Sequence, residues 1–272
     1  MDGFVSEIVS GGSTRRPGVD IIGTTSAMAR SEFRILPDWP KTLEAILERA
    51  RTLGPRGVWV FDLDSTVFDN LPRQARIVRE FGAARGIPEL TRCEAHHFPD
   101  GWDLRGALRN CGLDAANADR IHADARSFWR ERFFTSAYCG DDEPIRGAVA
   151  FVHRALSTGG KIGYVTGRHE GMREGTLRAM RRHRLPLPDD DRIILIMKPS
   201  LEVHDDDFKR AAHERIGELG TVVAAFDNEP MHVNEYRRRF PEAIIVHLAT
   251  DHSGRPVPLL DGIVSVPHFE YP

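Results

Sequence analysis

The sequence predicts an α/β fold, a parallel sheet covered by helices with a helical cap inserted after its first strand. Three observations carry that expectation. Short runs apolar on both faces alternate with amphipathic helices through the second half of the chain, the pattern of parallel strands buried between helix layers. The first such run, VWVF at 58–61, leads into Asp62, Asp64 and Asp69, three carboxylates that packing alone would not place beside a core strand. The stretch 71–142 that follows holds helical patterns such as RQARIVREFGAARG and DAANADRIHADARSFWRERFF, and no good strand candidate.

Taken in order, residues 1–36 are rich in Gly, Ser, Thr and Arg without periodicity and read as a flexible lead-in, docked at most through Ile21 and Ile22. A helix follows in PDWPKTLEAILERARTLGP. Pro40 suits its first turn, Leu43, Ile46, Leu47 and Ala50 share a face, and Gly54-Pro55 stops it. After the strand at 58–61, residues 71–142 form the cap. The core, 37–70 and 143–272, then resumes with helices near 147–157, 170–183, 206–218 and 230–238 between strands at 162–166, 193–197, 222–226 and 243–247.

Composition narrows the function. The chain has 272 residues, 41% hydrophobic and 28% charged, which suits a packed enzyme-sized fold rather than a disordered or fibrous one. A net charge of -3 supplies no field that would recruit nucleic acid or anionic membrane. Cys93, Cys111 and Cys139 are odd in number and lack CxxC spacing, which argues against a disulfide framework and against a thiolate zinc site. With no secretory apolar block and no run near the roughly 18 apolar residues of a span, a cytoplasmic protein is expected.

Chemistry concentrates at four strand ends, where open α/β sheets bind ligands. Asp62 and Asp64 leave the first strand, and their number beside so apolar a run points to a metal and catalysis. KIGYVTGRHEG places Thr166, Gly167 and Arg168 at a strand-to-helix turn, where unsatisfied helix N–H groups would receive an anion. RIILIMKPS and DDDFKRAAHERIGELG offer Lys198 and Lys209, either of which could stand between a carboxylate and a phosphate. TVVAAFDNEP ends in Asp227, Asn228 and Glu229. Oxygen ligands from two strand ends with open positions suit a hard cation such as Mg2+.

The ordered set FDLDST, VTGR, a later lysine and FDNEP, spread over 57–247, resembles the haloacid dehalogenase superfamily, in particular its magnesium-dependent aspartate-nucleophile phosphatases with a C1 cap. The resemblance implies a Rossmann-like sheet, with Asp62 as nucleophile forming an aspartyl phosphate and Asp64 as general acid and base. It implies phosphate binding by Thr166 and Gly167, charge neutralisation by one lysine, and Mg2+ held by Asp62, Asp227 and the Asp64 carbonyl. Lys198 has the strand-end KP form of many C1-capped relatives; Lys209 has the DxxFK form of others and the more usual distance from Asp227, and is preferred. DNEP departs from a double aspartate, which leaves Glu229 either as an outer metal residue or as the start of the next helix.

For the substrate, Asp69, Asn70, Arg73, His96, His97, Trp102 and Arg168 are the candidates. Adjacent His96 and His97 do not converge on a metal without a third partner, and Trp102 and Trp129 read as cap core. The basic runs RAMRRHR and YRRRF follow helical spacing with Met180, Tyr236 and Phe240 inward, so solvated helix faces are preferred over nucleic-acid contacts. The leading expectation is a hydrolase of a small soluble phosphomonoester. A phosphotransferase, a phosphatase of nucleotides or nucleic-acid ends, and a phosphate-binding protein without turnover are the alternatives.

Overall fold

A computed structural model describes residues 33–271. The expected docking of Ile21 and Ile22 lies outside the described residues. Helix α1 (Trp39–Leu53) buries Leu43, Ile46, Leu47 and Ala50 and stops at Gly54, whose φ of 53° is a conformation glycine adopts without steric cost. It delivers the chain into β1 (Gly57–Phe61), whose residues are all buried. Alternate side chains serve opposite faces: Val58 and Val60 join one apolar cluster, Trp59 and Phe61 the other.

A two-residue strand β2 (Phe68–Asp69) then pairs antiparallel with β3 (Glu143–Pro144), and the chain between them is a helical insertion. Its helices are α2 (Leu71–Arg85), α3 (Leu104–Asn110) and α4 (Ala115–Phe133), with two 3-10 turns between α2 and α3 and one after α4. Phe81, Leu90, Leu104, Leu108 and Ala118 give the insertion an apolar cluster of its own.

The remaining chain alternates α5 (Ala148–Ser157), β4 (Lys161–His169), α6 (Arg173–Arg182), β5 (Ile193–Lys198), α7 (Asp205–Leu219), β6 (Thr221–Asp227), α8 (Pro230–Arg239), β7 (Ile244–Leu248) and β8 (Val264–Val266). Six strands form one parallel sheet in the order β5-β4-β1-β6-β7-β8. Strand order reverses around β1, so the crevice beyond its carboxyl end is where a ligand fits. Register sharpens this: Phe61 pairs with Phe226, the two rings stack at 4.7 Å, and the next residues, Asp62 and Asp227, emerge side by side.

Two elements differ from expectation. Strand β8 follows β7 through a long loop without a helix, and Ile35, assigned by sequence to the lead-in, bridges to Ser265 on it. Strand β4 runs on to His169 because its pairing with β5 skips from Thr166 to His169; Gly167 and Arg168 bulge out, and α6 begins only at Arg173. Among the described residues no helix is long and apolar enough to cross a membrane.

His213 on α7 is buried against the Tyr236 ring at 4.7 Å, and burial pushes its imidazole down to about 4. The unfolded chain therefore takes up this proton first as pH falls from about 6.5. Stability should drop over the window from about 6.5 to 4, by up to about 3 kcal/mol for this group. Urea midpoints measured across that range should flatten in His213→Leu; an unchanged slope would refute the assignment.

Candidate active site

Asp62 and Asp227 leave adjacent parallel strands, and both are buried. Lys209 reaches them from the second turn of α7, where Phe208, Ala212 and Ile216 bury the helix against the sheet. Its Nζ donates to Asp62 Oδ1 at 2.7 Å and to Asp227 Oδ2 at 2.5 Å. Burial lowers the lysine pKa, but the two carboxylates outweigh it and keep the ammonium charged. Burial pushes Asp62 up to about 7; Lys209 opposes this and Asp227 adds to it. Asp227 itself is held below the usual range, because Lys209 and His232 outweigh its desolvation. One ammonium thus serves two carboxylates, and a further positive charge would stabilise both.

Lys198 is placed elsewhere. Its Nζ donates to Asp205 Oδ1 at 2.5 Å, and of that pair only Asp205 lines the cavity. Of the two lysines, Lys209 is the one that lies between the strand-end carboxylates.

The Asp64 carboxylate is held by two arginines. Arg168 grips it with Nη2 to Oδ1 at 2.7 Å and Nε to Oδ2 at 3.0 Å, and Arg73 Nη2 donates to Oδ1 at 2.9 Å. Asp142, buried at the end of the insertion, completes a quartet: Arg168 Nη2 lies 2.6 Å from its Oδ2, and Arg73 Nε lies 2.9 Å from its Oδ1, too poorly aligned for a hydrogen bond. Burial would raise the Asp64 pKa, but Arg168 and Arg73 prevail and hold it well below the carboxylate range. In this arrangement Asp64 is an ionised partner of two arginines rather than a proton donor.

Thr166 and Gly167 sit at the start of the β4 bulge, not at a helix N-terminus as the sequence reading supposed. Thr166 is buried and its Oγ1 accepts from the Arg168 amide at 3.2 Å; Gly167 lines the cavity. Arg168, expected at the substrate, is occupied by Asp64 and Asp142. Glu229 begins α8, and its carboxylate accepts from the Ser253 amide and hydroxyl at 2.9 and 2.7 Å, so it fastens the loop after β7.

The sequence reading missed His232, Asp142 and the loop after β7. His232 is buried, with Nδ1 3.4 Å from Asp227 Oδ1 and Nε2 3.0 Å from Asp206 Oδ1, and Asp206 is in turn paired with Arg255 at 2.7 Å. Its position within the first turn of the helix after Asp227 is the signal that could have found it.

Asp62, Asp64, Gly167, Arg168, Lys209, Asp227, Glu229 and His232 line a cavity of about 200 Å³ beyond the sheet's carboxyl edge, closed on the other side by the insertion. Asn70, Gln74, Gly101, Trp102, Trp129 and Phe133 contribute from there. Trp102 is not core as expected: it is 67% exposed at the cavity. Trp129 packs in the insertion, stacks on Phe133 at 4.4 Å, and lines the cavity as well. Asp69 accepts from the Leu71 amide at the stem, and neither Asp69, His96 nor His97 lines the cavity.

The donor set beside Asp62 fits a hard divalent cation. It is oxygen only, two ionisable carboxylates from neighbouring strand ends, with the Asp64 carbonyl next along the chain.

No family model matches the chain, and a search of curated proteins finds no match. Solved structures do. A haloacid dehalogenase superfamily hydrolase of subfamily IA from Geobacter sulfurreducens is 14% identical over 79% of this chain and 94% of its own, with a TM-score of 0.45. A haloacid dehalogenase-like hydrolase from Streptococcus pneumoniae is 11% identical over 78% and 93%, at 0.43. A structure from Bacteroides fragilis, provisionally assigned as a haloacid dehalogenase-like hydrolase, is 14% identical over 76% and 95%, at 0.46. Likeness at this level assigns no residue role in this chain.

Proposed function

We propose that the chain is a magnesium-dependent phosphomonoester hydrolase of the haloacid dehalogenase type, acting on a small phosphorylated metabolite under a C1-type cap. The observation that carries this reading is the triangle of Asp62, Lys209 and Asp227, two buried carboxylates bridged by one buried ammonium at the topological switch point.

In the proposed reaction an Asp62 oxygen attacks phosphorus, forming an aspartyl phosphate as the bond to the substrate oxygen breaks. Asp64 protonates the leaving oxygen, then takes a proton from the water that attacks phosphorus, releasing phosphate and restoring Asp62. Lys209 is a fixed positive charge that stabilises the developing negative charge in the transition state. Asp62, Asp227 and the Asp64 carbonyl would hold Mg2+, which would supply positive charge against the negative charge of an anionic substrate. Asp64 must leave its arginines to work as an acid. Arg73 rides on α2, so movement of the insertion would withdraw one of the two arginines, while Arg168 on β4 must release Asp64 separately.

The Trp129–Phe133 stack favours a second reading within the same chemistry, a substrate with a flat apolar part such as a nucleoside monophosphate. Phosphate release from a panel of sugar, aryl and nucleoside phosphates, with Mg2+ and with chelator, tests both. Metal-dependent turnover supports the hydrolase, and the rank order decides between the substrate classes. No release from any member, with or without alcohol acceptors, would remove the hydrolase reading.

The lysines separate cleanly. Lys209→Met should lower phosphate release by about 10²-fold or more, as the loss of a preorganised charge does. Lys198→Met should stay within about tenfold of wild type, since its ammonium serves only an ion pair with Asp205. The reverse ranking would contradict the assignment of Lys209.

A further inference from the structure

Away from the cavity, the insertion brings three soft donors together. Cys93 is fully buried just after one 3-10 turn, His97 ends the next (Ala95–His97), and Cys111 closes α3. One ligand atom from each lies within 4.8 Å of the other two. We propose that Cys93, His97 and Cys111 form a zinc site that staples the insertion.

Two sulfurs and one imidazole nitrogen match zinc and not the oxygen-seeking Mg2+ of the cavity. Ligand atoms around tetrahedral zinc lie about 3.5 to 3.8 Å apart, so closing this triangle takes a shift of about 1 Å. The surroundings hold the donors in place. The His97 Nδ1 lies at the Glu94 backbone, 3.0 Å from its amide and 3.2 Å from its carbonyl, and zinc at Nε2 selects the tautomer in which Nδ1–H donates to that carbonyl. Asn110 Nδ2 donates to the His97 carbonyl at 2.8 Å, joining the two segments that bear the ligands. Backbone and side-chain partners of this sort orient histidine ligands in metal sites.

His97 and Cys111 are half-exposed, which gives an ion a way in and leaves a fourth position for water. Binding converts two thiols to thiolates and releases two protons to solvent, with His97 neutral. The consequence is local: the loop that runs on from His97 to Gly101 and Trp102 at the cavity becomes tied to the end of α3. None of the three donors lines the cavity, so the site is independent of the phosphatase reading.

The test is elemental analysis of the full chain, prepared with reductant and dialysed against a weak chelator. Wild type should retain about one zinc per chain. Under the same competition Cys111→Ser and His97→Asn should each bind zinc about tenfold or more weaker. Cobalt in place of zinc should give the thiolate charge-transfer absorption of a tetrahedral site in wild type, a readout that does not depend on how the variants fold. Absence of both retained zinc and the cobalt–thiolate absorption would overturn the proposal. So would zinc content unchanged in both variants, or thiol titration showing Cys93 and Cys111 joined as a disulfide in protein purified without reductant.

Discussion

Asp62→Asn should lower phosphate release by about 10³-fold or more while leaving the melting temperature unchanged or raised. Both halves follow from the same surroundings. The carboxylate is the proposed nucleophile, and an amide of the same shape cannot form the acyl phosphate. Yet Asp62 is buried beside Asp227 with one ammonium between them, and burial has pushed its pKa up to about 7. An acid whose folded value is raised binds a proton more tightly folded than unfolded. Its contribution to stability is therefore greatest below the unfolded value near 3.8 and is lost as pH rises through about 7. Asparagine removes that charge, so the metal-free variant should gain stability relative to wild type as pH rises toward 7 and above. Phosphate release and thermal melts on the same preparations check it. Release within tenfold of wild type would sink the nucleophile assignment.

Arg168→Met should destabilise the fold by about 3 to 5 kcal/mol, the usual consequence of leaving a buried charge unpartnered. Arg168 is 2% exposed, and Asp142, which it meets at 2.6 Å, is fully buried. With Arg168 gone, Arg73 alone faces the two carboxylates Asp64 and Asp142. Adding Asp142→Asn should recover a large part of the loss, because one arginine then faces one carboxylate. Urea denaturation of the wild type, both single variants and the double variant gives the coupling directly. A single variant within about 1 kcal/mol of wild type would show that the quartet is not the stabilising unit described.

Much of this was legible because parallel strands buried on both faces read as continuous apolar runs, and polar residues at their ends stand out. Asp62, Thr166 and Asp227 stood out as strand-end candidates in that way, and α1, whose buried face is the one its periodicity predicts, was read by a complementary route. Spacing favoured Lys209 over Lys198 only weakly, since where each ammonium lies depends on which face of α7 meets the sheet. The bulge after Thr166 was invisible, because TGRHEG reads equally as a strand end or a helix start. The arginines that hold Asp64 come from positions 73 and 168 and share Asp142 with it, and only the closed stem and the β4 bulge bring these residues together. Strand β8 was too short, and too close to prolines, to register as a strand.

The return leg of the insertion carries a consequence for modular engineering. A Cβ on Gly175 of α6 would meet the Ser136 carbonyl at 2.2 Å, so only glycine lets that helix lie against the chain there. Ser136 Oγ donates to the Gly171 carbonyl and accepts from the Gly175 amide, Arg178 reaches the Ser136 carbonyl at 2.9 Å, and His169 Nε2 lies 3.0 Å from the Phe134 carbonyl. Residues 134–136 are therefore fastened to the sheet's side of the molecule, although in sequence they sit inside the loop, and a graft must keep Arg76 and Glu80 of α2, which meet Asp141 and Tyr138. A chimera that exchanges lids at the stem would tear out this seam. The transplantable unit is α2 through α4, and the graft junction belongs between Phe133 and Phe134.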